Sequence, residues 1–557
     1  MWHIVVSFPT RRVLAGLAAG ALVGSFALTN PAQAAPNNNS PAKLAKAVTA
    51  KGVLKHIDAF QRIADANDGT RASGTPGYDA SADYVQRLLT KAGYQVTRQQ
   101  FDFPFYEEEH WLFTQTGPAP RDFVDGVDFD LMEYSGSGAV ESAVVAIDLN
   151  LTDQAATTSG CEASDFDGVD ITGKIALMQR GTCAFGDKAA NAEAAGAAGA
   201  IIMNQGNGTD PSRHEIYAGT LGVPIGIPTF ATTYGLGVEL AQTPGVVLRL
   251  EAQTTIETRS TSNVIAQTRH GRTDNVVMAG AHLDSDLAGP GVNDNGSGSA
   301  ALLEVALQMA KVKPHNAVRF AWWGAEENGL LGAEYYVGQL TESAADDIAL
   351  YLNFDMVASP NYVFGVYDGD DSAQEGEGPG PQGSAAIETV FERFFTARGK
   401  ATAAADFTGR SDYGPFIAIG IPAGGLFTGA EGLKTAEEAA QFGGVAGAAY
   451  DPCYHAACDS MTPVADGGDA AIYAQLNRAY DLRGNINVHA LDVNSDAIAT
   501  AVITFAYDTS AVNGEPAGPG KGKGHGKHKG KGKGKGHGKG HGKGHGHGHG
   551  HGHRATR

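Results

Sequence analysis

The sequence predicts an α/β protein with a mostly parallel, mixed central sheet flanked by helices on both faces. Two observations carry that prediction. From Ser262 to about Val488, short β-branched or aromatic runs alternate with stretches of helical spacing, the pattern of strands joined by crossover helices. Three of those runs, Val276 to Ala281, Val318 to Trp323 and Ile348 to Phe354, are short and almost wholly apolar, as strands covered on both faces must be. Each leads into ionisable residues: His282, then Asp294 beyond a Gly/Pro loop; Glu326 and Glu327; and Asp355. Such residues lie at the carboxyl edge of the sheet, where open α/β folds bind ligands.

Taken in order, the chain opens with Arg11-Arg12, an apolar run from Val13 to Leu28 and Ala32-Gln33-Ala34, the pattern of an export signal cleaved after Ala34. Thr10-Arg11-Arg12 partly matches a twin-arginine signal, so the Sec and Tat routes both stay open. The run is short for a membrane span, which argues against stable insertion. After a polar linker (Asn37 to Pro41), Leu44 to Asn67 has helical spacing. Arg71 to Tyr78 is a turn-rich loop, and Ala80 to Lys91 is an amphipathic helix ended by Gly93. Tyr94 to Phe105 alternates as a strand. No residue of this opening segment is expected to carry chemistry.

Between about Leu131 and Glu251 short strands (Ala143 to Leu149, Lys174 to Gln179, Ala200 to Asn204, Val246 to Leu250) surround an Ala-rich helix, Phe185 to Ala198, without a convergent set of ionisable residues. The fragment Gly173-Lys174-Ile175-Ala176-Leu177-Met178-Gln179-Arg180-Gly181-Thr182-Cys183-Ala184-Phe185, with Lys188, Ala189, Ala192 and Gly196 to Ala200, resembles the protease-associated (PA) domain. That resemblance implies substrate gating or protein contact; a passive lid or spacer is the rival. Export makes four cysteines a disulfide-permissive set. Three pairings are possible, and Cys161 with Cys183 and Cys453 with Cys458 are expected because each pair lies within one local segment. A cysteine zinc site is disfavoured, since the spacings fit no common module.

In the resumed α/β pattern, Ser299 to Ala310 and Gly329 to Leu340 are predicted helices. Residues 367–384 form an acidic, Gly-rich loop, read as a solvated surface loop with calcium binding as the alternative. The 511–557 tail is Gly/Lys/His-rich and is expected to be disordered; its chemistry suits weak metal binding or anionic envelope polymers. Lys521 to Arg557 holds nine Lys and two Arg without an acid, leaving 30 basic against 61 acidic residues elsewhere, a net of −31. A body so acidic argues against nucleic acid as a partner.

Two His, two Asp and an adjacent Glu pair can supply what a hydrolytic two-metal centre needs: oxygen and nitrogen ligands, a bridging carboxylate and a nearby base. Gly280-Ala281-His282-Leu283-Asp284-Ser285, Gly291-Val292-Asn293-Asp294-Asn295-Gly296-Ser297-Gly298, Trp323-Gly324-Ala325-Glu326-Glu327-Asn328-Gly329-Leu330-Leu331-Gly332, Asn353-Phe354-Asp355-Met356 and Cys453-Tyr454-His455-Ala456-Ala457-Cys458-Asp459 resemble the motifs of the secreted bacterial dizinc aminopeptidases, the Streptomyces-type leucyl aminopeptidases of peptidase clan MH. The resemblance implies two zinc ions, with His282 and Asp355 on one, Glu327 and His455 on the other and Asp294 bridging both. It further implies Glu326 as general base, Tyr454 as donor to the oxyanion, Arg410 as a hold on the substrate terminus and Met356 near the specificity pocket.

The Cys453–Cys458 bridge would restrict Tyr454 and His455, and Asp284 could orient the His282 ring. The implied division is an export signal (1–34), a catalytic domain in two parts (35–130 and 256–510), a PA insertion (131–255) and the tail. A monomeric, exported aminopeptidase acting on peptides with large apolar N-terminal residues is the reading adopted. Its rivals are a carboxypeptidase or dipeptidase of the same clan and a metal-free binding protein.

Overall fold

The computed structural model describes residues 37–208, 213–374 and 378–516, all but Asn37 within the compact unit that begins at Asn38. The expected export signal, residues 375–377 of the acidic loop and the tail from residue 517 lie outside the described residues. Among the described residues no helix is long and apolar enough to cross a membrane.

In chain order the main sheet contains β1 (Gln95–Gly117), β2 (Arg121–Asp122), β3 (Phe129–Leu131), β4 (Gly138–Ala146), β5 (Ile175–Gln179), β6 (Gly199–Met203), β7 (Thr229–Thr232), β8 (Val247–Gln267), β9 (Arg272–His282), β10 (Asn316–Trp323), β11 (Ile348–Phe354), β12 (Gly365–Tyr367), β13 (Ala403–Ala405) and β14 (Ala423–Phe427). They lie in the order β13-β12-β14-β11-β9-β10-β8-β4-β5-β6-β7-β3, with β1 paired to β8 and β2 to β1. β14, β11, β9 and β10 run parallel, while β8 and β12 join antiparallel, so the sheet is mixed as the sequence predicts.

Alternation along the central strands sends side chains to opposite faces. Val277, Ala279 and Ala281, with Phe320, Trp322, Leu350 and Leu352, enter the larger core beneath helices Ala50–Asp65, Pro76–Ala92, Gly296–Met309 and Val488–Tyr507. Met278, Ala321, Trp323 and Tyr351 meet Tyr336 and Phe416 from helices Leu331–Gly338 and Tyr413–Ala418 on the other face. Both faces are thus covered, which is why these strands read as continuous apolar runs. Gly280 interrupts the run because a Cβ there would lie 2.3 Å from the Tyr351 hydroxyl and 2.6 Å from Trp323 Nε1, a pair hydrogen-bonded at 2.8 Å.

β1 and β8 pair over their whole lengths, from Gln95 opposite Gln267 to Gly117 opposite Val247. At one end Val264–Gln267 of β8 pairs with β10; at the other Val247–Ala252 pairs with β4. One ribbon therefore belongs to both the central parallel strands and a second set of strands, β4 to β7 with β3. That second set has its own small cores: Leu177, Ile201 and Phe230 pack with Leu236 on one face, and Met178, Ile202 and Ala231 pack with Ala189 and Ala192 on the other.

Element ends differ from the sequence expectation for local reasons. The helix expected over Leu44 to Asn67 is two helices, Pro41–Ala47 and Ala50–Asp65; Val48 and Thr49 are extended, and the Thr49 side chain caps Gly52 N–H. The next helix begins earlier, at Pro76, because Thr75 caps Tyr78 N–H and proline suits the first turn. Gly93, at φ +100°, ends it as expected. Asn295 caps the helix Gly296–Met309 through Gly298 N–H, starting it a turn before Ser299. The helix expected from Gly329 is shorter, Leu331–Gly338.

Candidate metal centre

β9, β10 and β11 are neighbours, and Trp323 lies in register with His282 and Asn353 with Gly280, so the three strand ends deliver their cargo to one edge. His282 closes β9, Asp355 directly follows β11, and Gly324-Ala325 turns the chain after β10 to present Glu326 and Glu327. Asp294 comes from the loop before helix Gly296–Met309, and His455 from the Cys453–Cys458 loop.

The geometry is a chain of close donors. His282 Nε2 lies 3.1 Å from Asp355 Oδ1 and 3.2 Å from Asp294 Oδ1. The other oxygen of Asp294, Oδ2, lies 3.5 Å from His455 Nε2, which is 2.9 Å from Glu327 Oε2. Two ligands on one tetrahedral zinc sit about 3.3 Å apart, given zinc-to-ligand bonds of about 2.0–2.1 Å. These separations match that spacing. Glu326 Oε2 stands farther off, 3.9 Å from His282 Nε2, and turns toward the first imidazole while its neighbour turns toward the second.

Charge makes the same demand. Asp284, Asp294, Glu326, Asp355 and Asp412 are buried with His282, and Glu327 Oε1, both Asp284 oxygens and both Asp412 oxygens have no hydrogen-bond partner. Burial pushes the Glu326 carboxyl well above the usual carboxylate range, with His282 opposing and Asp412, Asp355 and Glu327 adding to the rise. Burial likewise raises Glu327 to about 7 against the pull of His455. Burial would lower the His282 pKa, but Asp355 and Glu326 outweigh it, and His455 is raised in the same way by Glu327 and Asp294. A buried site this rich in carboxylates is short of positive charge, and nitrogen and oxygen donors at these separations fit divalent cations such as zinc.

The supporting layer comes from residues scattered along the chain. Arg71, fully buried, donates to the carbonyls of Leu283, Pro290 (2.7 Å) and Gly291 (2.7 Å), tying the end of β9 to the stretch just before Asp294. Its pKa falls to about 10 through burial, with Asp284 and Asp459 opposing. The opening segment thus does serve the site, contrary to expectation. Gly291, at φ +57°, leaves room for this packing, since a Cβ there would meet Asp294 O at 2.1 Å. Asp459 accepts from Asn293 N–H (2.9 Å), Asp294 N–H (2.8 Å) and Asn485 Nδ2 (2.7 Å). Ser411 Oγ donates to Asp355 Oδ2 at 2.6 Å. Asp459 closes a motif already singled out, so its position was a usable signal; nothing local distinguishes Arg71 or Asp412.

Asp284 does not hold the His282 ring by its carboxylate as expected: Oδ1 is 3.7 Å from Nδ1, whereas the Asp284 backbone carbonyl is at 3.2 Å. Ala325, just before Glu326, and the site residues Met356 and His455 have φ of +52°, +48° and +50°. Left-handed backbone at non-glycine residues costs roughly 1–3 kcal/mol each and persists where surrounding structure enforces it.

Both disulfides form with the expected pairing, Cys161–Cys183 and Cys453–Cys458. Tyr454 stacks on His455 with ring centroids 3.8 Å apart. Arg410 reaches Tyr454 OH at 3.3 Å, but its firmer partner is Glu431 at 2.7 Å, and its side chain is 61% exposed. A pocket of about 290 Å³ joins the donors to an apolar wall that includes Met356, Val363, Tyr367, Ala405 and Phe427. Asp368 and Asp370 of the acidic loop come together with Glu388 of helix Ser384–Ala397, with Asp368 accepting from Ser372 and Ala373 N–H and Glu388 from Gly369 N–H.

An α/β sheet edge bearing paired imidazoles among buried carboxylates, with a second set of strands beside it, has the donor set of a metallohydrolase. Comparison with known proteins narrows the class. Residues 263–478 match the model of peptidase family M28, and residues 142–240 that of the PA domain. An aminopeptidase of Pseudomonas aeruginosa is 45% identical over 484 residues, covering 87% of this chain and 86% of its own. Among solved structures, the aminopeptidase from Aneurinibacillus sp. strain AM-1 has a TM-score of 0.61 at 24% identity, covering 83% of this chain and 95% of its own. A zinc aminopeptidase from Bacillus subtilis has a TM-score of 0.51 at 23% identity, covering 82% and 94%. The chain belongs to peptidase family M28, with a PA domain, and is an aminopeptidase.

Proposed function

We propose that this aminopeptidase is exported, holds two zinc ions and releases large apolar N-terminal residues such as leucine. His282 and Asp355 would hold one ion, Glu327 and His455 the other, and Asp294 both. The observation that carries this reading is the placement of the two Asp294 oxygens, one toward each imidazole. Bound there, the ions would polarise the scissile carbonyl and acidify the attacking water. Glu326, close to the first imidazole but outside the shortest donor contacts, takes the proton from that water and returns it to the leaving amine. Burial keeps the Tyr454 hydroxyl protonated by raising its pKa, so it can donate to the charge that develops on the carbonyl oxygen.

The apolar wall around Met356 and Phe427 accepts the N-terminal side chain, and Arg410, steadied by Glu431, lies at the rim to hold the substrate terminus. A monomer with its PA insertion at 131–255 completes the reading. Disulfides accord with an oxidising compartment, and cleavage after Ala34 is tested by sequencing the N-terminus of the secreted protein.

A chain ending at Glu515, freed of the histidine-rich tail, should bind two zinc ions and cleave Leu-p-nitroanilide but not an N-blocked peptide. Fewer ions, or cleavage of the blocked peptide alone, overturns the proposal.

A further inference from the structure

A second cleft, of about 470 Å³, opens beside the metal-site residues. Its walls come from five places: Ala72 and Ser73 before helix Pro76–Ala92, Phe105 to Glu108 and Trp111 of β1, Glu133 and Tyr134 just after β3, Ser285 to Ala288 after β9, and Glu327 with Asn328 after β10. The lining side chains of this cleft and of the Met356 pocket have one residue in common, Glu327. The Glu327 side chain is only 8% exposed, and its Oε1 has no hydrogen-bond partner. The two depressions therefore both border Glu327.

The chemistry of the second cleft is one-sided. Glu107, Glu108, Glu133, Asp286 and Glu327 line it, and no Lys, Arg or His does. Among the described residues, none of the first four forms an ion pair. Arg259, whose guanidinium packs on the Phe105 ring, is engaged by Glu257 and is not a lining residue. Burial raises the Glu108 carboxyl to about 7, as expected of an acid with no cation beside it. Phe105, Tyr106, Trp111 and Tyr134 supply aromatic faces, which attract cations as carboxylates do.

We propose that this cleft receives the peptide on the leaving-group side of the scissile bond, and that Glu107, Glu108, Glu133 and Asp286 select Lys or Arg in the first residues after the cleaved one. The inference rests on the two-metal aminopeptidase reading above. With the N-terminal side chain in the Met356 pocket and the scissile bond beside Glu326 and Glu327, the remaining peptide leaves past Glu327 into the adjoining space. Glu133 and Tyr134 come from the inserted segment, and Tyr134 OH reaches the Asn328 carbonyl at 3.3 Å, so that segment builds part of the subsite.

The test compares kcat/KM of the full chain for Leu-Arg-Ala-amide, Leu-Ala-Ala-amide and Leu-Glu-Ala-amide. Wild-type protein should favour the arginyl over the glutamyl peptide by about tenfold at low salt, falling to within about threefold near 0.5 M NaCl as exposed charges are screened. In the triple variant Glu107→Gln, Glu108→Gln, Glu133→Gln, the ratio should shrink to about twofold, with zinc content kept. If that variant does not fold, Glu107→Gln alone and the wild-type salt series decide. A wild-type ratio near one, or a ratio the folded variants leave unchanged, overturns the subsite while leaving the parent reading intact. Absence of zinc-dependent leucine release from all three peptides instead sinks both.

Discussion

Glu326→Gln separates a base from a ligand. The glutamate is buried, and glutamine matches it in shape, so the substitution alters one terminal atom and its charge without opening a cavity. Glu326 Oε2 lies 3.9 Å from His282 Nε2, against 3.1 and 3.2 Å for Asp355 and Asp294. Yet His282, Glu326 and Asp355 also form a group compact enough to share an ion. If Glu326 acts as base, glutamine leaves the stronger donors in place. Zinc content and Tm then stay near wild type, while kcat on Leu-p-nitroanilide falls by about 10²–10⁴, the usual contribution of a positioned proton acceptor. That loss corresponds to roughly 3–5 kcal/mol of barrier. The assay pairs metal analysis with steady-state kinetics on the chain ending at Glu515. A variant with full zinc and kcat within tenfold of wild type would refute the base assignment; loss of zinc with activity would make Glu326 a ligand.

Other expectations follow from the supporting structure. Arg71→Lys leaves one ammonium where a planar guanidinium serves the carbonyls of Leu283, Pro290 and Gly291; zinc should leave at least tenfold faster in chelator, and unchanged release would contradict the anchoring role. Replacing Cys453 and Cys458 by serine frees the short loop holding Tyr454 and His455, lowering stability by about 2 kcal/mol on loop-closure grounds. The same variant should weaken zinc retention, and wild-type thermal unfolding and retention would count against the restraint.

Lys188 is fully buried, and burial lowers its pKa from 10.5 to about 8. Folding therefore disfavours the ammonium: the penalty is complete below pH 8 and disappears as pH rises to 10.5, where the unfolded chain also loses its proton. Relative to Lys188→Met, the wild type should gain roughly 3 kcal/mol across that interval. Denaturant unfolding that gives the same difference at pH 7.5 and 10.5 would exclude the linkage.

Much of the site was legible because parallel strands carry their cargo at their ends. His282, Glu326 with Glu327 and Asp355 each follow a buried apolar run, and register alone brings those ends together. Cysteine spacing was similarly local. Arg71 was not legible, because its partners are backbone carbonyls more than 200 residues away and no side-chain type announces them. Asp412 reads as an ordinary loop acid until folding seals it beside His282 and Asp355. The break at Val48 and Thr49 is likewise decided by capping and packing, which helical periodicity does not record. The full reach of β1, to Gly117, depends on its long partner β8.

That partnership has a topological consequence. Gly117 and Val247 are neighbours across the ribbon, so everything between them leaves and returns through adjacent rungs of one ladder. Seen from the hydrolytic core, more than a hundred residues occupy the place of an ordinary hairpin turn. The core need not be rethreaded to accommodate them, and the Tyr134 hydroxyl, 3.3 Å from the Asn328 carbonyl, fastens the guest segment back onto its host.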